Sequence, residues 1–169
     1  MKPSDVPIIE KLADALNRHE VKWVLVGGMA VTLHGGSYLT SDCDVAFEKS
    51  QANLNHLKAA LESIGARPVR ASDEGPFELD FSILLAPFMH MKSDAGPVDL
   101  INRLPGIESF ADLYARSVAV EVDGIEIRLA SIEDLIRLKS DTNRPRDQLH
   151  VEMLKALLRL EDDDSQEPL

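Results

Sequence analysis

The chain has 169 residues, of which 44% are hydrophobic, a length and composition that fit one globular domain with a sizeable core. Its 29 acidic side chains outnumber 18 basic ones, and the net charge of −11 disfavours broad nonspecific attraction to nucleic acid or to an anionic membrane. The single cysteine excludes an internal disulfide, and no apolar run approaches the roughly 20 residues that span a bilayer. We therefore expect a cytoplasmic protein without a membrane partner.

The first half of the chain is predicted to alternate between helices and strands. The spacing of apolar residues from Val6 to Leu16 predicts an amphipathic helix with Ser4 as its N-cap. The segments VKWVLV and CDVAF are predicted as strands, and between them a glycine turn opens a short helix over Met29 to His34. A further helix covers Ala52 to Ile64 and ends at Gly65.

The second half is predicted to add four strands and two helices to the same sheet. The Asp123-Gly124 pair predicts a two-residue hairpin turn. The predicted strands are Phe77–Ala86, Val98–Ile101, Val118–Val122 and Ile125–Leu129, and the helices run from Ser131 to Ser140 and from about Pro145 to Leu160. This order predicts an α/β (α+β) fold, a mixed β-sheet flanked by helices with further helices at the C-terminus. Residues 1–160 are expected to form one domain, followed by a disordered acidic tail over residues 161–169.

The most informative pattern is a paired-glycine turn ahead of two carboxylates that stand one residue apart. Successive side chains of a strand point to opposite faces, so Asp42 and Asp44 should project together while Cys43 packs as a buried thiol. Two carboxylates on one rigid edge suit a divalent cation. The backbone at Gly27 and Gly28 can approach a ligand closely, and a helix that starts there suits a phosphate. A phosphate-binding turn followed by a pair of metal-binding carboxylates is typical of enzymes that catalyse phosphoryl or nucleotidyl transfer.

The spacing Gly-Gly, thirteen residues, Asp-x-Asp resembles the signature of the DNA polymerase β-like nucleotidyltransferase superfamily, and HGGSYLTSDCDV is similar to its AbiEii-type and minimal bacterial branch. The resemblance covers residues 20 to 157 and implies a nucleotidyltransferase-like sheet, Mg²⁺ or Mn²⁺, and a nucleoside triphosphate substrate. It also implies a third carboxylate from a later strand. Asp99 is preferred because the sequence from Val98 onward resembles the family's downstream half, and Asp80 is the alternative.

The resemblance implies specific roles for these residues. Asp42, Asp44 and Asp99 are the implied metal ligands and catalytic residues. Relatives often carry an arginine where this chain has Tyr38, and an acid where it has His150. The implied nucleotide-binding residues are Gly27, Gly28, Tyr38, Thr40, Lys139 and Arg144.

The implied activity is metal-dependent transfer of a nucleoside monophosphate from a nucleoside triphosphate to a hydroxyl of an RNA or protein acceptor. The implied context is a toxin–antitoxin pair, with a cognate antitoxin or toxin as partner. Two alternatives stay open. Tyr38 in place of arginine favours a catalytically weakened nucleotide-binding or protein-interaction module, and adenylyl transfer to a small-molecule antibiotic would use the same kind of site.

Overall fold

The computed structural model describes residues 8–37, 40, 42–72, 74–75, 77–140 and 142–166. Seven strands in these residues form one mixed sheet in the order β3-β4-β5-β2-β1-β7-β6. The strands are β1 (Trp23–Val26), β2 (Cys43–Phe47), β3 (Arg67–Pro68), β4 (Phe88–Lys92), β5 (Val98–Ile101), β6 (Val118–Val122) and β7 (Ile125–Leu129). The helices are α1 (Ile8–Arg18), α2 (Gly27–Leu33), α3 (Gln51–Ser63), α4 (Phe81–Leu84), α5 (Phe110–Arg116), α6 (Ile132–Ser140) and α7 (Pro145–Gln166). The predicted mixed α/β fold with C-terminal helices is confirmed.

The centre of the sheet is rigid because its strands are buried on both faces. β1 is buried along its whole length, and β2 pairs with it antiparallel and with β5 in parallel. The inward side chains Leu25, Val45 and Leu100 are almost completely buried. Burial of this kind fixes the register, since a one-residue slip would turn the apolar side chains to the opposite face. Asp44 and Asp99, described below, lie on β2 and β5.

Two local predictions are confirmed by their backbone geometry. Asp123 and Gly124 both adopt positive φ, 49° and 81°, between β6 and β7, as a two-residue turn of the type favoured in hairpins requires. At the start of α6 the Ser131 hydroxyl accepts a hydrogen bond of 3.1 Å from the backbone N–H of Asp134. This is the N-cap that the sequence predicted.

The predicted strand over Phe77–Ala86 is wrong. Asp80 accepts a 2.7 Å hydrogen bond from the backbone N–H of Ser82 and caps the short helix α4. Pro87 then disfavours a helical conformation at the residue before it, and the chain becomes extended in β4. The apolar pattern alone could not distinguish a short buried helix from a strand. β3, β4 and α5 were not predicted.

The acidic segment also differs from its prediction. Residues 161–166 were assigned to a disordered tail, and they instead continue α7 with exposed side chains. No glycine or proline, the residues that most strongly disfavour a helix, stands between Pro145 and Pro168. The predicted domain boundary after residue 160 stays a prediction, and residues 167–169 lie outside the described part of the chain. Within the described ranges, no helix has the length and apolar character that crossing a membrane requires.

Candidate nucleotidyl-transfer site

The turn from β1 into α2 is shaped around one carboxylate. Gly27 has a φ of +72°, a conformation that favours glycine. A Cβ atom built on Gly27 would lie 1.9 Å from the Oδ2 atom of Asp44, so the carboxylate packs directly on the glycine backbone. Gly28 follows in the first turn of α2, and the N-cap residue Val26 makes no side-chain cap. The glycine pair thus brings the start of a helix against the first carboxylate of the adjacent strand.

A second carboxylate stands beside Asp44 on the neighbouring strand. β2 and β5 run in parallel with Asp44 opposite Asp99, which places both side chains on the same face of the sheet. Asp99 is only 7% exposed, an unusual degree of burial for an acid. Asp42 lies one residue before β2, where its backbone N–H donates to the Thr40 hydroxyl at 3.2 Å. The structure therefore gathers the predicted acids at one end of β2.

The proximity of these acids changes the protonation of Asp44. Burial, the negative charge and hydrogen bond of Asp99, and the charge of Asp42 together raise the pKa of Asp44 to about 7, against a smaller opposing effect of Lys139. Two carboxylates in one low-dielectric site cannot both ionise easily. Burial and the same three acids raise the pKa of the Cys43 thiol to about 12. Cys43 is completely buried, so the predicted packed thiol is confirmed.

The donors at this site fit a small hard cation. Among the described residues, no group of three or more His, Cys, Asp or Glu side chains is arranged to hold a metal ion. Mg²⁺ does not require such a group, because it is usually held by one or two carboxylates, waters and the phosphates of its substrate. Asp44 and Asp99 supply that pair, and the proton retained by Asp44 occupies a place that a cation could take. Metal ligation by Asp42, Asp44 and Asp99 stays a prediction.

A lysine from the C-terminal helices contributes the positive charge. The Lys139 ammonium acts electrostatically on Asp44, and burial lowers the pKa of Lys139. Its Nζ atom lies 2.7 Å from the Nδ1 atom of His150 and 3.9 Å from Asp147. Asp147 is in turn fixed by the Thr142 hydroxyl, which donates to it at 2.6 Å. Helices α6 and α7 therefore orient Lys139 towards the carboxylates.

Since the Lys139 ammonium can only donate, the Nδ1 atom of His150 must accept. Burial and the charge of Lys139 lower the pKa of His150, which keeps that ring neutral. His150 stands where the family resemblance places an acid, and here it accepts a hydrogen bond from the same lysine. This pairing was not predicted, because the two residues are eleven positions apart on different helices.

The other predicted residues are less central. Arg144 is exposed and lies one residue before α7. Asp80 is exposed and caps α4, and its hydrogen bonds to Ser82 lower its pKa. Tyr38 lies outside the described residues, so its predicted role stays a prediction.

One neighbour of the site was missed by the sequence. His90 on β4 pairs in register with Asp99, and its Nδ1 atom makes a close contact with the Asp99 carboxylate. The only available signal was the alternation of FMHMK, in which every second residue shares a face. That signal was obscured by the incorrect strand predicted just before it.

Comparison with known families identifies the chain. Residues 6–161 match a family described as nucleotidyltransferase of unknown function, DUF6036. The chain belongs to this nucleotidyltransferase family. Its membership confirms the resemblance on which the activity was predicted, and the match includes both the carboxylates of the sheet and Lys139. No curated protein sequence matches significantly.

Solved structures share the fold at low identity. ANT(2'')-Ia, in its complex with adenylyl-2''-tobramycin, matches with 17% identity over 93% of this chain and 91% of that one, at a TM-score of 0.56. TM1012 from Thermotoga maritima matches with 17% identity over 96% of both chains and a TM-score of 0.54. An antigenic nucleotidyltransferase-like protein from Paracoccidioides brasiliensis matches with 15% identity over 88% of this chain and 72% of that one, also at 0.54. These similarities show that the chain shares the fold of these three proteins.

Proposed function

We propose that this nucleotidyltransferase moves a nucleoside monophosphate from a nucleoside triphosphate to an acceptor hydroxyl, and that the reaction takes place at Asp44 and Asp99 on the central strands β2 and β5. The observation that carries the proposal is the register of β2 and β5, which sets Asp44 and Asp99 side by side, with Asp44 packed against the Gly27 backbone. Nucleotidyl transfer needs positioning and charge neutralisation above all else. Both requirements fit an arrangement of rigid carboxylates, a glycine turn and one oriented lysine.

The residues have distinct parts in the proposed reaction. The backbone of Gly27 and Gly28 would receive the phosphates, and Lys139 would balance their charge. Asp42, Asp44 and Asp99 would hold Mg²⁺ or Mn²⁺, which when bound neutralises charge on the triphosphate and its leaving group. The acceptor oxygen attacks the α-phosphorus, the bond from that phosphorus to the bridging oxygen breaks, and pyrophosphate leaves. Asp99 accepts the proton of the acceptor hydroxyl.

Two acceptor classes carry the proposal further. An RNA or protein hydroxyl, in a toxin–antitoxin setting with a cognate partner, is the class implied by the likeness to the AbiEii-type branch. A small-molecule antibiotic is the second candidate, because the fold is shared with ANT(2'')-Ia, an antibiotic-resistance factor solved with adenylyl-2''-tobramycin.

A labelling experiment separates these candidates. The purified protein is incubated with each α-labelled nucleoside triphosphate and Mg²⁺ or Mn²⁺, in separate reactions with cellular RNA, cellular protein or tobramycin. We expect label in one acceptor class, and no label with Asp44→Asn. Label in no class together with tight triphosphate binding would instead favour the nucleotide-binding module.

A further inference from the structure

Strand β4, which lies between the two-residue edge strand β3 and strand β5, carries two aromatic side chains next to Asp99. Phe88 and His90 alternate along the strand and point to the face that bears Asp99. Their rings are nearly parallel, with an interplanar angle of 14° and centroids 6.3 Å apart. Phe88 is 54% exposed and the His90 side chain 46%, a large exposed aromatic surface for a strand that is otherwise packed.

This pair occupies the side of Asp99 that is away from the proposed nucleotide seat. The strand order β4-β5-β2-β1 sets His90, Asp99, Asp44 and the Gly27 turn in one row across the sheet. Gly27 and Asp44 lie at one end of that row and His90 lies at the other, and Phe88 is two residues from His90 along β4. A hydroxyl that reaches Asp99 from the side opposite the Gly27 turn therefore passes over His90.

We propose that Phe88 and His90 form the acceptor wall of the site: Phe88 stacks on a flat ring carried by the acceptor, and His90 positions the Asp99 carboxylate. This inference rests on the proposed function and names the chemistry of its acceptor. In this arrangement the Nδ1–H tautomer of His90 donates to Oδ1 of Asp99. That contact orients the Asp99 carboxylate, which also shares a hydrogen bond with Asp44.

The spacing selects the kind of acceptor. His90 touches Asp99, and Phe88 lies two residues away along β4 on the same face, opposite Ile101. A hydroxyl attached directly to a ring would place that ring over His90. A hydroxyl separated from its ring by a saturated group, as in a nucleoside, would instead place the ring over Phe88, and base–aromatic stacking is favourable without hydrogen bonds to the base. A polycationic aminosugar has no such ring.

Binding of small probes tests the role of Phe88. Adenosine and tobramycin are titrated separately into the intact chain with Mg²⁺ and α,β-methylene-ATP present, and the ring signals of Phe88 and His90 are followed by NMR. We expect saturable adenosine binding that weakens about tenfold or more in Phe88→Ala, while tobramycin affinity is the same for both proteins. Val118→Ala is the control, because Val118 is 45% exposed on β6 at the opposite edge of the sheet.

The possible results separate this inference from the proposed function. Adenosine binding that is absent, or equal in wild type and Phe88→Ala, overturns the inference if the ATP analogue binds. Failure of the ATP analogue to bind overturns the proposed function itself.

Kinetics test the role of His90 as a positioning residue. His90→Asn keeps an N–H near the position of Nδ1, whereas His90→Ala removes it. With Mg²⁺, ATP and adenosine as acceptor, we expect kcat for pyrophosphate release to fall about tenfold in His90→Ala and to recover in His90→Asn, with the KM for ATP unchanged in both. A kcat in His90→Asn that is as low as in His90→Ala would contradict the positioning role. A rise in the KM for ATP instead of a fall in kcat would contradict it as well.

Discussion

At the scale of single residues, the site depends on contacts that allow little substitution. Asp44 rests on the Cα atom of Gly27 and shares a hydrogen bond with Asp99, and each of the three residues comes from a different element. The sequence predicted the Asp-x-Asp pair, the glycine turn and the preference for Asp99 over Asp80. It could not predict that the Asp44 carboxylate packs against the Gly27 backbone, because that contact depends on the antiparallel register of β1 and β2.

Gly27→Ala should damage the site more than the fold. The new Cβ would lie 1.9 Å from the Asp44 carboxylate, whose end must move because the backbone on both sides is buried. We expect binding of Mg²⁺ with ATP, measured by calorimetry, to weaken at least about tenfold. Gly124→Ala is the matched control, since Gly124 has a similar φ of +81° with nothing within 4 Å of the added atom. Both variants should lose about 1–3 kcal/mol of stability from backbone strain. Equal nucleotide affinity in the two variants would contradict the packing argument.

The protonation of Asp44 should make stabilisation by metal dependent on pH. Its folded-state pKa of about 7 lies above the ordinary value, so the folded protein binds more protons than the unfolded chain between roughly pH 4 and 7. Stability from this group is present at low pH and is lost as pH rises through that window. Mg²⁺ replaces the proton, so the rise in Tm that Mg²⁺ produces should be larger at pH 8 than at pH 5. The difference should be absent in Asp44→Asn, and a pH-independent rise in wild type would contradict the pKa.

Asparagine substitutions separate the two candidates for the third carboxylate. Asn keeps the shape of Asp and loses the charge that a hard cation needs, so Asp99→Asn should reduce nucleotidyl transfer by about a hundredfold or more. Asp80→Asn is the control, because Asp80 is exposed and asparagine also caps helices well. Initial rates of pyrophosphate release measure both effects. A larger loss in Asp80→Asn would show that the third carboxylate was assigned wrongly.

At the scale of elements, segments with clear apolar runs, apolar spacing or turn residues were predictable, including the short strands β1, β2 and β5, whereas β3, β4 and α5 were not. α1, α3, α6 and the β6–β7 hairpin follow from apolar spacing and turn residues. β4 was missed, since the apolar run before it suggested a strand and the Asp80 cap was not recognised. The contact between Lys139 on α6 and His150 on α7 also could not be predicted from the sequence, because it depends on how the two helices pack.

The contact between Lys139 and His150 should strengthen nucleotide binding. His150→Leu removes the acceptor of the 2.7 Å contact and leaves the Lys139 ammonium less well oriented beside Asp44. A hydrogen bond to a charged group contributes about 1.5–3 kcal/mol, so we expect ATP with Mg²⁺ to bind about tenfold or more weakly. Leu149→Ala is the control on the same helix, because Leu149 is 70% exposed. Calorimetry that finds the same affinity in His150→Leu and wild type would remove Lys139 from the nucleotide site.

At the scale of the whole molecule, the site must bind an anionic substrate on an acidic protein. The net charge of −11 repels a triphosphate, so binding requires local positive charge from Lys139 and from a cation at the carboxylates. The chain offers a second acidic cluster that could attract cations without any catalytic role. Glu161 and the aspartates that follow it lie exposed along the end of α7, on a different element from Asp44 and Asp99.

Paramagnetic broadening by Mn²⁺ distinguishes the two locations and tests the central claim directly. Backbone amide signals are recorded by NMR while Mn²⁺ is added to the protein in the presence of α,β-methylene-ATP. We predict that the signals of residues 43–45 and 98–100 broaden first, together with that of Gly27, because a cation between the triphosphate and the carboxylates would lie beside all of them. Broadening confined to residues 161–164, or centred on Asp80, would contradict a nucleotidyl-transfer site at Asp44 and Asp99.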